Sequence, residues 1–225
     1  YYIQSSPDLE PETSVNYEVG LKGDYPKFDF SLVGFVSNYE GLIALAPIGT
    51  DPSCVRLIGR PCTIEAYSNT DEAEISGLEW KSDYNFNGSQ NGFSVLSSLA
   101  YTYGDDTSSS DSKPLTSIEP FKAILGLKYT ALENKWSAQL TNTYVGDART
   151  TSDLENNPSE SYSVLDFISS LNVNDRLSLD LGIYNLNDTR YFNYSTVKNQ
   201  NPSDVDINRY SEPGRNIKGG FKFVF

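Results

Sequence analysis

Tyr191, Tyr194, Arg209, Tyr210 and Arg215 gather three phenol rings and two guanidinium groups in one stretch near the end of the chain. Rings stack on flat ligands and a guanidinium grips an anion with a fixed fork, so the set suits a planar, negatively charged ligand. The plainer alternative is that these residues pack a loop or line an interface. A second set is marked by spacing. Glu18, Lys22, Glu79, Lys81, Asp83, Lys122, Lys128, Asp166, Asp180 and Lys218 occupy positions that alternate with large apolar residues. In an extended chain this puts the charges on one face. There they can hydrogen-bond a second body, or simply meet water.

Other chemistry is disfavoured by composition. The 225 residues include no His, so neither a Ser-His-Asp nor a Cys-His site can be assembled from them. Glu79 and Asp83 share a face but lie roughly 13 Å apart along a strand, too far for a glycosidase pair. No enzyme is expected. Asp105, Asp106, Asp111, Asp153 and Glu155 carry hard oxygen ligands without the spacing of a known cation loop, so solvation is expected there, with no metal site and no bound cofactor. A formal net charge of -13 argues against nucleic acid, which demands a basic face. Cys54 and Cys62 sit in one Pro- and Gly-rich stretch; in an exported protein such a pair forms a local disulfide, with two free thiols as the alternative. Asn187-Asp188-Thr189 and Asn193-Tyr194-Ser195 match glycosylation triplets and are read as chance.

The elements that must position these residues are strands. Val15, Tyr17, Val19 and Leu21 alternate with Asn16, Glu18, Gly20 and Lys22. The same period recurs at 73–86, 93–103, 121–130, 136–144, 161–173 and 177–183. It also opens a long strand at 28–46, where Phe28, Phe30 and Leu32 alternate with Asp29 and Ser31 before the pattern becomes apolar on both faces. It closes with Ile217, Gly219, Phe221, Phe223 and Phe225 opposite Asn216, Lys218, Gly220, Lys222 and Val224. Nine strands are expected, each with a greasy face and a polar face. No run of eighteen apolar residues is present, so no transmembrane helix is expected. A strand that is apolar outside and polar inside belongs to an outer-membrane β-barrel, with Tyr101 and Tyr103 as girdle residues.

The connections alternate as well. Short turns are expected at 24–27, 85–91, 131–134 and 172–175, and long polar loops at 47–72, 104–118, 146–160 and 186–210, with residues 1–11 a loop leading into the first strand. Short periplasmic turns and long outer loops have this asymmetry. Gly20, Gly126, Gly182 and Gly220 fall on the polar face, where they either admit a second backbone or relieve curvature. Nine strands leave two open edges, and hydrocarbon forbids open edges. With neither an initiator Met nor an apolar leader, the chain is expected to be the C-terminal part of a larger barrel.

Several stretches together resemble the TonB-dependent outer-membrane receptors. They are Pro7-Asp8-Leu9-Glu10-Pro11-Glu12-Thr13-Ser14 with Tyr17-Glu18-Val19-Gly20-Leu21-Lys22, then Ile75-Ser76-Gly77-Leu78-Glu79, Val164-Leu165-Asp166, Gly182-Ile183-Tyr184-Asn185-Leu186-Asn187-Asp188 with Tyr191, and Phe225. Ile118-Glu119-Pro120-Phe121-Lys122 and Tyr210-Ser211-Glu212-Pro213-Gly214-Arg215-Asn216 are most similar to the haem, haemoglobin and transferrin branch. The resemblance implies an all-β fold, the last nine antiparallel strands of a 22-stranded barrel, with the plug domain, the TonB-contacting segment and the earlier strands elsewhere. It also implies outer-membrane lipid, TonB, the protein's own plug and an iron-carrying ligand or host haem protein as partners, and import of haem or a ferric chelate. The charged face would then meet the plug. A ferric-siderophore receptor of the same fold, a passive porin or an adhesin barrel are the alternatives, with a soluble β-sandwich behind them. Asn187 departs from the aromatic residue common in the family, and without His no haem-iron ligand of that type can come from these residues.

Overall fold

The computed structural model of the chain describes residues 2–55, 61–88, 91–108, 111–149, 160–198, 200 and 206–225. Nine long strands carry the alternation. They are β2 (Thr13–Tyr25), β3 (Phe28–Val55), β4 (Pro61–Asn85), β5 (Gly92–Asp106), β7 (Lys122–Thr130), β8 (Trp136–Val145), β9 (Tyr162–Asn174), β10 (Leu177–Tyr184) and β11 (Asn216–Phe223). Two short strands, β1 (Tyr2–Gln4) and β6 (Lys113–Pro114), join the same sheet. The order β11-β10-β9-β8-β7-β5-β4-β3-β2 makes every long strand the neighbour of the one before it. Between the long strands, pairing is antiparallel wherever its register is given, from β5 through β7, β8, β9 and β10 to β11. This is an up-and-down meander with β2 and β11 at its edges.

The four short turns fall where the sequence puts them, and local chemistry explains two. In the turn between β9 and β10, the Asn174 Oδ1 accepts from the amides of Arg176 and Leu177, each at 2.9 Å, the side-chain turn that Asn makes readily. Between β7 and β8, Glu133 and Asn134 take positive φ of 55° and 53° in a 3-10 turn at Leu132–Asn134. Asn tolerates that region and the next residues resume the strand.

Three expected loops are corrected. The stretch 47–72 is largely strand, because β3 runs to Val55 and β4 starts at Pro61. Its prolines and glycines suggested a loop, yet β3 has 28 residues against 13 in β2, so its far part has one unpaired edge, where Pro is tolerated. Residues 2–4 pair in parallel with residues 64–66 of β4 instead of forming loop. Within 104–118, β5 continues to Asp106 and pairs with β6. The segment between β10 and β11 holds a short helix, α1 (Tyr194–Val197), and a 3-10 turn (Ile207–Tyr210). The side chains of Cys54 and Cys62, and residues Asp153 and Glu155, lie outside the described residues.

The chain divides into two compact units. One holds residues 1–17, 36–76 and 104–115; the other holds 18–35, 77–103 and 116–225. The second has almost no interior. Its buried apolar residues are Val145, Val164, Tyr194 and Val197 among those described, whereas Leu78, Phe93, Leu125, Leu127, Leu140, Leu171, Leu179, Leu181 and Phe221 all stand exposed. Register shows that these exposed groups share one face: Val95 opposes Leu127, Leu127 opposes Leu140 and Leu140 opposes Phe167. In water such a face is a severe liability. In lipid it is the contact surface.

Aromatic rings bound that face at two levels. Phe93, Tyr129 and Trp136 form one chain, with centroids 4.9 and 5.1 Å apart, and Tyr101, Phe121 and Tyr144 form another at 6.4 and 6.3 Å. On β5, on β7 with the residue just before it, and on β8, the two levels are eight positions apart (101−93, 129−121, 144−136). Eight residues rise about 27 Å along a strand, or about 20 Å vertically at a tilt near 40°. This approaches the height of an outer-membrane apolar band. Polar groups on the apolar face are also satisfied. Trp80 Nε1 donates to Ser97 Oγ, which pairs with Ser82 Oγ, both at 2.8 Å; Asn142 Nδ2 donates to Ser163 Oγ at 2.7 Å; Ser169 Oγ donates to the Ser137 carbonyl at 3.0 Å. Lipid offers no partners, so they must be found within the wall.

Candidate functional site

The opposite face is a polar wall. Cross-strand pairing lines up Ser94, Lys128, Gln139, Ile168, Gly182 and Lys218 in one row, and Gly126, Thr141 and Asp166 in another. Asp180 pairs with Ser170, which pairs with Ser137, and Lys122 lies between Ala100 and Val145. Lys22, Lys81 and Asp83 meet in a hollow of about 650 Å³ with Asp24, Asp29 and Ser98. A second hollow of about 490 Å³ brings Asp83 and Lys128 together with Ser94, Asn134, Ser137 and Asn172. Glu18 and Glu79 are exposed on β2 and β4. The one ion pair formed among the described residues joins Lys135 to Glu133 in a turn, at 3.2 Å. Lys22, Lys81, Lys128 and Asp83 therefore enter no described ion pair, and a shielded Oδ1 of Asp83 has no hydrogen-bond partner. Such a surface can take hydrogen bonds from something placed against it.

Two members of the set already have structural duties. Asp166 Oδ1 accepts the Asn185 amide at 2.8 Å. Lys218 Nζ stands 5.2 Å from the Tyr184 ring centroid, a cation–π distance. That ring lies where a side chain on Gly182 would be, since a Cβ there would come within 2.6 Å of Tyr184 Cε2. Gly182 thus makes room for a neighbouring ring; Gly220 has open space around it.

The aromatic and cationic set near the chain end is dispersed in its duties. Tyr194 is 3% exposed and its hydroxyl donates to the Thr116 carbonyl at 2.9 Å, so it anchors the loop and has no face for a ligand. Burial, and secondarily Glu119, holds its phenol above the ordinary range. Tyr191 packs against Tyr162 with tilted rings whose centroids are 4.3 Å apart, and burial followed by Glu212 raises its phenol as well. Arg209 bonds the Tyr210 hydroxyl at 2.7 Å, and Arg215 donates its amide to Asp188 Oδ1 at 2.7 Å. Tyr191 does border a groove of about 410 Å³ with Tyr162, Arg190 and Phe192.

The group that organises this loop stands in the sequence only as one residue of the motif at 182–188. Asn185 is 2% exposed with φ +52°. Its Nδ2 donates to the Thr189 and Pro213 carbonyls at 2.8 and 3.1 Å, and its Oδ1 accepts the Thr189 amide at 2.8 Å. Asn187 reaches back to β9, accepting the Leu165 amide at 3.0 Å and donating to the Ser163 carbonyl at 2.8 Å. A Phe ring could make neither bond, and the polar tip of a Tyr or Trp stands too far from the backbone to replace this short amide, so the departure at Asn187 has a local reason. The two Asn side chains knot the exit of β10 to β9 and to the start of β11.

A family description, "TonB dependent receptor-like, beta-barrel", matches residues 1–186. Haemoglobin-haptoglobin utilization protein B of Neisseria meningitidis is 24% identical over 96% of this chain and 31% of its own length. Among solved structures, the copper transporter OprC superposes with a TM-score of 0.76 at 22% identity, covering 97% of this chain and 32% of that one. A ferric enterobactin receptor from Pseudomonas aeruginosa does so at 0.70 and 22%, covering 99% and 32%. The chain spans about a third of the length of these proteins.

Proposed function

This chain belongs to the TonB-dependent receptor β-barrel family, and on that premise we propose that it is part of an outer-membrane receptor that imports an iron compound, haem or a ligand taken from a haem protein. It is an outer-membrane barrel portion and a transport protein in class, with a lipid-facing wall. The observation that carries the reading is the family match over 186 residues, joined to a sheet whose apolar face is bounded by two aromatic levels. Support for haem comes from the haemoglobin-haptoglobin relative, which aligns over nearly the whole chain. The ferric enterobactin receptor favours a second reading, a ferric-siderophore receptor of the same fold.

In this reading the missing strands pair with β2 and β11, because an open edge in hydrocarbon costs several kcal/mol per unsatisfied group. The protein's own plug fills the lumen against Lys22, Lys81, Asp83 and Lys128, and TonB supplies the energy through a segment outside this chain. Tyr191 and Arg190, beside the outer-end groove, are the ligand contacts proposed from this segment. The test is growth of an iron-starved strain that lacks its own receptors and carries the full-length gene, with haem or ferric enterobactin as sole iron source. Rescue by haem that disappears with TonB is expected. Rescue by the ferric chelate alone favours the second reading, and no TonB-dependent rescue by either removes both.

A further inference from the structure

The first compact unit contains a crossing that none of its strands needs for its own ladder. β1 lies parallel to residues 64–66 of β4, while β2 is the neighbour of β3 at the end of the sheet and not of β4. Residues 5–12 must therefore pass across the two-stranded ribbon made by β3 and β4. Two side chains pin the crossing. Asn69 Oδ1 accepts the Glu10 amide, and its Nδ2 donates to the carbonyls of Glu10 and Gly41, all at 2.7 Å. Glu12 Oε1 accepts the Ile43 amide at 2.7 Å. One side chain thus ties the crossing segment to both strands, and a second ties it to β3.

Physics gives the crossing a purpose. A two-stranded ribbon in water is marginally stable at best. The far part of β3 outruns β2, so without help the hairpin would be such a ribbon. β1 gives β4 a third strand, with Ala66 buried at the junction. We propose that residues 5–12 are a strap that holds the outer part of the β3–β4 hairpin rigid, with Asn69 as its buckle and Glu12 as its second pin. The hairpin is then a fixed platform at the receptor surface and not a loose loop. This inference is independent of which ligand is carried.

Hydrogen exchange on the full-length receptor in detergent micelles tests it. N69A removes three bonds and should speed exchange by about tenfold or more across residues 2–12 and 41–50, with β7 to β10 unchanged. E12A should speed exchange around Ile43, and E12Q, which keeps the acceptor oxygen, should restore the slow rate. The strap is overturned if N69A changes these segments less than about twofold, or if the acceleration spreads equally to β7 to β10, which would mark Asn69 as a general fold residue. If N69A fails to assemble, the comparison of E12A with E12Q decides: equal exchange at Ile43 in both overturns the pin.

Discussion

Strands β7 and β8 have 9 and 10 residues and end at aromatic rings; β3 and β4 have 28 and 25 and continue without such a limit. The first pair is cut to the nine to eleven residues that a tilted strand needs to cross a bilayer. The second pair exceeds that span more than twofold, so one strand obeys two solvents in succession. Where lipid is the solvent, exposed apolar groups are the rule and polar groups must bond one another. Where water is the solvent, the strand needs extra neighbours and side-chain pins instead.

The comparison breaks most visibly under charge. Leu125 lies midway between the two aromatic levels on β7, and Ile48 lies far along β3; both are about half exposed, at 58% and 52%. Leu125→Arg should cost about 2–4 kcal/mol, as a cation at the middle of a lipid face does. Ile48→Arg should stay within about 0.5 kcal/mol, because that surface is already wet. Urea unfolding of the full-length protein in bilayers measures both. Equal costs at the two sites would erase the distinction between solvents.

Next in size is a packing test within the wall. A Cβ on Gly77 would approach Phe35 Cζ within 2.5 Å and the Tyr101 carbonyl within 2.9 Å, while one on Gly220 meets nothing within 4 Å. Gly77→Val should cost about 1–3 kcal/mol or block assembly, because the backbone carbonyl cannot retreat. Gly220→Ala should be close to neutral. The yield of folded, heat-modifiable protein in the outer membrane reads this difference. A tolerated Val at 77 would mean that the wall relaxes more than its packing implies.

Legibility followed periodicity. The nine long strands, the short turns and the two faces were all readable, because a period of two repeated over many residues survives a few exceptions. Lys22, Lys81 and Asp83 were placed together by that same rule. The outer halves of β3 and β4 were hidden, since Pro47, Pro52, Gly49 and Gly59 outweighed a weak alternation that only an edge position makes tolerable. Asn69, and the bonding roles of Asn185 and Asn187 within their motif, were hidden for another reason. They act by bonding backbone groups distant in sequence, and no spacing signals such a bond before the fold brings the partners together. For Tyr194 the sequence left both readings open, ligand contact and loop packing, because a Tyr in a loop presents the same letter whether its hydroxyl seeks a ligand or a carbonyl. Its place in the fold is that of a packing residue.

A third experiment sharpens the comparison at the loop end of the wall. Asn185→Ala leaves the Thr189 amide and the Thr189 and Pro213 carbonyls without their side-chain partner in a nearly closed site. The expected loss is about 1–3 kcal/mol. It should appear as faster exchange in residues 185–198 and at the start of β11, not in β3. A loss distributed evenly over the sheet would mean that the knot is part of the wall's general cohesion.

The smallest effect concerns Tyr194, whose phenol is raised above its usual value by burial and then by Glu119. A folded value above the unfolded one stabilises fully below the unfolded pKa of about 10, and that contribution is lost as pH rises through the folded value. Tyr194→Phe should lose about 1 kcal/mol at neutral pH, the worth of the hydrogen bond to Thr116. It also has no proton to give up. The gap in melting temperature between the two proteins should therefore narrow as pH climbs past about 10, because only the Tyr form is penalised there. A gap that stays constant from neutral to strongly alkaline pH would show that the buried hydroxyl is not the group that titrates. The loop would then be held by the Asn185 knot alone, and Tyr194 would count only as a ring.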